Sequence, residues 1–396
     1  MKYYILTIFL FATVLVKSQN YWAQKTDLPS SSRYSAVGFS IGDIGYICCG
    51  RISPSSLAND LWMYNTTNDS WTQKTSLPTQ GLYAPSAFVI NGIAYVGNGA
   101  YNSGGNSNNF YKYNPTTDSW SQVASFPGSA RYGCGFFAIN GKGYICGGTT
   151  GSMYLADLWE YDPIADSWTQ KASIPGSERA HPVCFSINNM GYVTTGKKMS
   201  GSYLNDTWKY NPLTNSWSQV GSIGNFGRTV AAGFTINGKG YCGSGVNEQG
   251  VELDDFWEFD PITGAWTQVA TIDEATGRHG AATFATPTKG YILTGLNTTI
   301  YMKDIWEYWP LNASISNQTI KDKIQFYQNL QKQSLEFSVL ENQKIQIRIY
   351  SITGQIVHSQ TINTTTSISM ANLPKGAYIL RISNEEDQFS TKILHL

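Results

Sequence analysis

The sequence has 396 residues, 27 Lys and Arg against 27 Asp and Glu, and only 14% charged residues. A chain of this length exceeds one ordinary core, so we expect two domains or a repeat array. The balanced charge, without any basic run, argues against nucleic acid or an anionic membrane surface as partners, and 38 Gly, 25 Tyr and 12 Trp indicate turn-rich antiparallel sheet.

The first 18 residues have the features of a secretory signal peptide. Lys2 precedes an apolar run over residues 3–16, and Ser18 stands before Gln19, where we predict cleavage. The run is shorter than the roughly 20 residues that a helix needs to cross a bilayer. We therefore predict no transmembrane segment, and a mature protein that is secreted or held at the outer cell surface.

A repeat follows. Trp followed by Thr, Ser or Ala and then Gln recurs six times, at intervals of 49, 49, 48, 49 and 49 residues: Trp22, Trp71, Trp120, Trp168, Trp217 and Trp266. A glycine predicted to end a strand keeps the same spacing: Gly50, Gly99, Gly148, Gly196, Gly245 and Gly295. So does a second aromatic residue: Trp62, Tyr111, Trp159, Trp208, Trp257 and Trp306. A period near 50 with three landmarks in step indicates one structural unit per repeat.

One unit predicts four short strands. Three of them cover residues 132–139, 144–148 and 158–161, and Trp168 opens the fourth. Asn140-Gly141 supplies the positive φ of a tight hairpin, and Asp162-Pro163 favours a type I turn. Four antiparallel strands per repeat are typical of a propeller blade.

The segment from Asp157 to Gln170, which follows the doublet Gly147-Gly148, resembles the kelch family, and the resemblance covers roughly residues 21–310. It implies an all-β fold with a six-bladed propeller over residues 19–310. The Trp-Thr-Gln strand is missing after Trp306, but residues 21–29 match residues 70–78 almost throughout. We predict that the N-terminal strand completes the sixth blade and removes an open sheet edge.

The period stops near Leu311. After a linker at residues 311–317, alternation of period two over residues 345–350 and 377–382 predicts a small β-sandwich domain at residues 318–396. These segments resemble the C-terminal sorting domain of type IX secretion substrates, although Tyr327-Gln-Asn-Leu330 replaces the usual Tyr-Pro-Asn-Pro. The resemblance implies export by the type IX secretion machinery; the alternative is an accessory sandwich without an export role.

No catalytic centre emerges from the motifs. Galactose oxidase, a copper enzyme of the kelch superfamily, needs converging imidazole and phenolate donors, but only His181 and His279 lie in the predicted propeller. We reject a copper site and predict no metal and no cofactor; nucleophile elbows, His-Glu-x-x-His and phosphate-binding loops are also absent from the sequence. Among the six cysteines, Cys134 and Cys146 fall on consecutive predicted strands and are the pair to examine for a disulfide.

Two polar series follow the repeat. Aspartates precede the third strand in five units, and we predict that they accept backbone amides: Asp60, Asp157, Asp206, Asp255 and Asp304, with Asn109 in the remaining unit. Arginines occupy the head of the first strand: Arg33, Arg131, Arg179, Arg228 and Arg278, with Leu82 in the remaining unit. Since first strands line a propeller channel, we predict that these arginines ring one mouth and bind a ligand. Hydrogen bonding to carbonyls of adjacent blades is the alternative.

These features predict a secreted or cell-surface binding protein that recognises a glycan or protein on its arginine-bearing face. The runner-up is an enzyme similar to the sialic acid mutarotases, in which an acid and a base exchange protons at the anomeric centre. A third possibility is a passive scaffold.

Overall fold

The computed structural model describes residues 20–272, 277–310, 324–329, 333–339, 344–352, 354–384 and 388–395. Strands, turns and loops make up these residues, and none of them forms a helix that could cross a membrane. The chain divides into two compact units, Met1–Leu311 and Asn312–Leu396. The predicted signal peptide and linker lie outside the described residues.

The described part of the first unit contains six four-stranded antiparallel sheets, numbered here along the chain. Sheets 1 to 3 consist of Val37–Ile41, Ile44–Cys48, Leu61–Asn65 and Ser70–Lys74; Ser86–Ile90, Ile93–Gly97, Phe110–Asn114 and Ser119–Val123; and Gly135–Ile139, Lys142–Cys146, Leu158–Asp162 and Ser167–Lys171. Sheets 4 to 6 consist of Val183–Ile187, Met190–Thr194, Asp206–Asn211 and Ser216–Ser222; Ala232–Ile236, Lys239–Gly243, Phe256–Phe259 and Trp266–Val269; and Ala282–Ala285, Gly290–Asn297, Ile300–Trp309 and Tyr21–Lys25. Two short ribbons join Arg51–Ser53 to Ser56–Leu57 and Arg228–Thr229 to Val246–Asn247.

Turn chemistry sets the strand boundaries within each sheet. Asn140 and Gly141 adopt φ values of 50° and 74°, the two positive values that a tight hairpin between the first and second strands needs. Between the third and fourth strands, the Asp162 carboxylate accepts the backbone N–H of Ile164 at 2.8 Å. Local sequence therefore determines where these chain reversals occur.

The last sheet is completed from the other end of the chain. Tyr21–Lys25 pairs antiparallel with Ile300–Trp309, with Trp22 opposite Tyr308. The Trp22 indole N–H donates to the carbonyl of Ala270 in sheet 5 at 2.9 Å. Trp71 makes the same kind of bond to Thr26 at 2.7 Å. Trp22 thus has the role of the fourth-strand tryptophan in sheet 6, as its match with Trp71 predicts.

Neighbouring sheets are joined by backbone hydrogen bonds from the repeated glycines. Each glycine N–H donates to the residue at the head of the next first strand: Gly50 to Leu82, Gly99 to Arg131, Gly148 to Arg179, Gly196 to Arg228, Gly245 to Arg278 and Gly295 to Arg33, at 2.7–2.9 Å. These glycines have φ between 87° and 115°, where a side chain is strained. A Cβ on Gly50 would also lie 2.8 Å from the Ala36 Cβ. The repeated glycine therefore lets the chain after the second strand lie against the start of the first strand of the same unit, while its N–H reaches the next unit.

The described part of the second unit forms two sheets around one core. Their strands, in sheet order, are Ile324–Asn329, Ser334–Val339 and Thr366–Ser369, and Ile356–Ile362, Ile345–Ser351, Gly376–Ser383 and Gln388–His395. Leu335 from the first sheet packs in the same core as Ile347 and Leu380 from the second, and all three side chains are fully buried. The buried alternation at Ile345, Ile347 and Ile349 is the predicted period-two pattern.

Candidate functional site

The five repeated arginines lie inside the sheets. Their relative exposure is between 0% and 2%. Each forms a two-pronged ion pair with the aspartate that the repeat places at the third strand of its own unit: Arg33 with Asp60, Arg131 with Asp157, Arg179 with Asp206, Arg228 with Asp255 and Arg278 with Asp304. Planar guanidinium and carboxylate groups match in this geometry.

The unit of sheet 3 illustrates the hydrogen bonds that surround one of these arginines. Arg131 donates to the two Asp157 carboxylate oxygens at 2.5 and 2.9 Å, to the Gly147 carbonyl at 3.1 Å and to the Ser129 carbonyl at 2.9 Å. The Trp159 indole N–H donates to the same carboxylate at 2.8 Å. Little hydrogen-bonding capacity of this guanidinium is left for a ligand.

The charge of each arginine also fixes the state of its partner. Burial acts to raise the pKa of Asp60, but the hydrogen bonds and positive charge of Arg33 outweigh it and hold that pKa below its ordinary value. The carboxylate is therefore charged in neutral solution and compensates the buried guanidinium.

Two predictions about the arginine and aspartate series are wrong: one concerns where the arginine side chains lie, and the other concerns what the aspartates bind. Arg33, Arg131, Arg179, Arg228 and Arg278 do not line the cavity described below, because each side chain turns into its own sheet towards its aspartate. The aspartates accept arginine and tryptophan side chains where backbone amides were predicted. Each buried positive charge is compensated by a carboxylate within its own unit.

Sheet 2 lacks the arginine, aspartate and tryptophan that contact one another in the other units. Its unit has Leu82, Asn109 and Tyr111 where the other units have arginine, aspartate and tryptophan. All three partners change in the same repeat. This joint replacement is the sequence signal from which the pairing could have been found.

The first strands of all six sheets line one cavity of about 370 Å³. Residues at one register on its wall are small with a single exception: Gly38, Ala87, Phe136, Cys184, Gly233 and Thr283. The cavity lining confirms that first strands face the centre of the unit. A site open to a ligand must therefore lie at an end of this cavity.

Six aromatic side chains lie at the end of the cavity where the first strands begin, and we call them the aromatic rim: Tyr34, Tyr83, Tyr132, His181, His279 and Tyr301. Ring centroids are 5.7 Å apart for Tyr34 and Tyr83, 5.7 Å for Tyr83 and Tyr132, and 5.9 Å for Tyr132 and His181. Tyr34 also lies 6.2 Å from His279 and 5.1 Å from Tyr301. All six residues are half-buried.

The rim was missed because its members are not all of one residue type. Tyr34, Tyr83 and Tyr132 each follow the first-strand arginine or leucine and directly precede a cavity-lining residue. The corresponding positions of the other units are Ala180, Thr229 and His279. The signal available in the sequence was three tyrosines at one register of three successive repeats.

Two cations stand beside the rim at one register. The Arg51 guanidinium lies 5.1 Å from the centroid of the Tyr83 ring. Lys197 pairs with Ala180, the residue before His181, and lies 5.5 Å from the ring of Tyr203, a tyrosine outside the rim. Burial, His279 and the Lys197 charge together lower the pKa of His181 to about 4. Within the described ranges, no carboxylate forms an ion pair with Arg51 or Lys197.

An imidazole and a carboxylate meet at the same end. His279 Nδ1 lies 3.3 Å from Glu252 Oε1, and Glu252 also accepts the Thr298 backbone N–H at 2.6 Å. Burial lowers the pKa of His279, and the neighbouring Glu252 charge only partly opposes this effect. The imidazole is therefore neutral at neutral pH and can accept a proton.

The positions of the His, Cys, Asp and Glu side chains bear on metal binding, and those of the cysteine sulfurs bear on disulfide formation. In the part of the chain that the structure describes, no group of three His, Cys, Asp or Glu side chains could hold a metal ion. All six cysteines are free. The sulfur of Cys146 lies against that of Cys184, at 3.6 Å, so the sequence singled out the wrong partner in Cys134.

Comparison with known proteins agrees with the repeat. The profile of the KLHDC2/KLHL20/DRC7 Kelch-repeats domain matches residues 35–234, half of the chain. The chain belongs to the kelch-repeat family. A solved structure, described as the structure of YjhT, is similar to this chain with a TM-score of 0.62 and 16% identity over 71% of this chain and 95% of that chain. At this identity the likeness concerns the fold alone. We call the first unit, Met1–Leu311, the kelch unit.

The second unit is identified independently. The profile of the secretion system C-terminal sorting domain matches residues 325–395. No curated protein matches the chain. The kelch propeller and the type IX sorting domain together make this a secreted kelch protein, at the outer surface or beyond it.

Proposed function

We propose that the kelch unit is a closed propeller of six blades that binds a carbohydrate at the aromatic rim. Closure is supported by the six glycine hydrogen bonds, the last of which runs from Gly295 in sheet 6 to Arg33 in the first repeat. The Ser35 N–H also donates to the Gly280 carbonyl at 2.6 Å, linking the same two repeats. Pairing of Tyr21–Lys25 with Ile300–Trp309 supplies the third link.

The observation that carries the binding proposal is the rim itself. Half-buried tyrosines surround an open end of a cavity, and their rings combine an apolar face with a polar hydroxyl. Sugars offer the same combination, with C–H faces and hydroxyl edges. Concave sites with a few convergent polar groups are the usual ligand sites of such scaffolds. Arg51 and Lys197 supply donors for hydroxyl or anionic groups at the edge of the ligand.

The five arginines support the rim indirectly in this proposal. Arg33 precedes Tyr34, Arg131 precedes Tyr132 and Arg278 precedes His279. Each ion pair fixes the backbone from which the rim residue projects. The ligand therefore contacts the rim, and the arginines act by positioning it.

Affinity measurements test this site. In a glycan screen on the full mature chain, a ligand should emerge whose Kd is weakened about tenfold by Tyr83→Ala, because one stacking face worth roughly 1.4 kcal/mol is lost. Tyr132→Ala should act similarly. Ile164→Ala is the matched control, since this side chain is 94% exposed in a turn between third and fourth strands.

If the Tyr83→Ala and wild-type proteins have equal affinity and equal melting temperatures, the ligand does not bind at the rim. Binding of proteins but of no carbohydrate would favour the protein-recognition alternative. If neither class binds, the scaffold alternative stands.

A specific observation favours an isomerase as the second candidate. Glu252 Oε1 lies 3.3 Å from His279 Nδ1, and the neutral imidazole at the rim could take a proton from the anomeric hydroxyl of a reducing sugar. We expect His279→Gln to reduce anomer exchange of a bound sugar, followed by NMR, at least tenfold. Because the folded pKa of His279 is lowered, wild-type exchange should be retained at neutral pH and lost as pH falls through that pKa.

Exchange at the uncatalysed rate in the wild-type protein, despite measurable binding, would exclude the isomerase and leave the binding protein. The His181→Gln variant, compared at saturating sugar, is the control, because this imidazole also belongs to the rim but has no carboxylate of the described residues within ion-pair distance.

The sorting domain makes a separate prediction. Deleting residues 312–396 should leave a folded kelch unit that accumulates inside the outer membrane, because the first unit has its own sheets and core. Fractionation of cells and medium, with a melting curve of the truncated protein, measures both effects. Efficient appearance of the truncated protein in the medium would contradict the role of the tail in export.

A further inference from the structure

Two cysteines from neighbouring sheets meet beside the cavity. Cys146 ends the second strand of sheet 3 and is fully buried, whereas Cys184 lies in the first strand of sheet 4, is half-buried and lines the cavity. Their sulfur atoms are 3.6 Å apart. A disulfide bond is about 2.0 Å long, so the two sulfurs are about 1.6 Å from bonding distance.

A missing side chain makes this contact possible. Gly135 is the strand partner of Cys146, and a Cβ at Gly135 would lie 2.1 Å from the Cys184 sulfur and 3.0 Å from the Cys146 sulfur. The other units have larger residues at this register: Val37, Ser86, Val183, Ala232 and Ala282. The third repeat therefore departs from the pattern at the one point where two sulfur atoms need the space.

We propose that Cys146 and Cys184 form a disulfide in the secreted protein and link sheet 3 covalently to sheet 4. The predicted signal peptide directs the chain out of the reducing cytoplasm, and the sorting domain directs it onward to the cell surface, so both compartments that the protein reaches allow disulfides to form and persist. This proposal rests on the location of the protein and is independent of the ligand at the rim.

The chemistry needs a disulfide as oxidant, either glutathione disulfide or a disulfide oxidoreductase. Cys184, which is reachable from the cavity, attacks the oxidant as a thiolate, forms a mixed disulfide and releases one thiol. Cys146 then attacks the Cys184 sulfur and expels the second thiol. The two protein thiols lose two protons and two electrons, which the oxidant takes up as two thiols. Since burial raises the pKa of the Cys184 thiol, the first step should be faster at higher pH.

Other sulfur contacts fit a cross-link less well. The sulfurs of Cys48 and Cys49 are 3.3 Å apart, but these adjacent residues are already joined by a peptide bond, so a disulfide there would connect no separate elements. Cys242 is fully buried in sheet 5 and makes no sulfur contact among the described residues. It provides the matched control for substitution.

Peptide mapping and thiol titration of the full chain test the proposal. Protein collected from the culture medium, or incubated with glutathione disulfide, should show four free thiols after denaturation and one cross-linked pair of peptides containing Cys146 and Cys184. Cys242→Ser should retain the cross-link. Cys146→Ser should leave Cys184 carrying one glutathione, whereas Cys184→Ser should carry none because Cys146 is buried. The oxidised wild-type protein should melt about 5 °C above its reduced form.

Six free thiols in both preparations would overturn the proposal, as would a cross-link confined to another pair of cysteines. An unchanged glutathione adduct pattern in Cys146→Ser and Cys184→Ser would also contradict it, because the order of attack requires the accessible Cys184.

Discussion

Replacing Arg131 with leucine should lower the free energy of unfolding by about 3–5 kcal/mol, because it leaves the largely buried Asp157 carboxylate without its compensating charge. The carboxylate would keep its Trp159 donor but lose both guanidinium bonds. Equilibrium denaturation of the kelch unit measures the loss. A result within about 0.5 kcal/mol of wild type would contradict the assigned role of the ion pair.

The chain contains its own control for this experiment. Sheet 2 folds with Leu82, Asn109 and Tyr111 at the three positions. The double variant Arg131→Leu with Asp157→Asn should therefore recover most of the lost stability, since neither partner remains charged. If the double variant loses as much unfolding free energy as the two single variants lose together, the two residues act independently. A full recovery would show that the arginine stabilises the protein by compensating the charge of its aspartate.

The second large effect concerns the N-terminal strand. Trp22 lies between sheets 5 and 6, with ring centroids 4.8 Å from Phe256 and 4.9 Å from Tyr308, and it donates to Ala270. Trp22→Ala should cost about 3 kcal/mol of unfolding free energy, at the lower end for such a change because the side chain is half-buried.

Trp71→Ala is the matched comparison, because Trp71 has the same role within sheet 1. If the strand closes the kelch unit, the two variants should lose similar stability in thermal and chemical denaturation. Loss in Trp71→Ala alone would show that the N-terminal strand is not part of the cooperative unit, and the proposed closure would fail.

The sequence by itself determined the repeat and its local geometry. Asn140-Gly141 and Asp162-Pro163 position chain reversals through backbone conformation and short-range hydrogen bonds, which depend on residues a few positions apart. The match of residues 21–29 with residues 70–78 was enough to assign the N-terminal strand to sheet 6. Because each landmark residue recurs in six repeats, a substitution in one repeat did not obscure the period.

Only the tertiary structure decided what the side chains of the repeat do. Arg131 and Asp157 stand 26 residues apart and Cys146 and Cys184 stand 38 apart, and each pair meets through the packing of separate strands. The arginine register was correct, but register alone does not say whether a side chain turns into its sheet or towards the cavity. That choice follows from desolvation: a guanidinium is stable in the interior only beside a carboxylate, and the nearest one lay in the third strand of the same sheet. The arginine side chains therefore point away from the cavity, and the residues of the aromatic rim lie at its end instead.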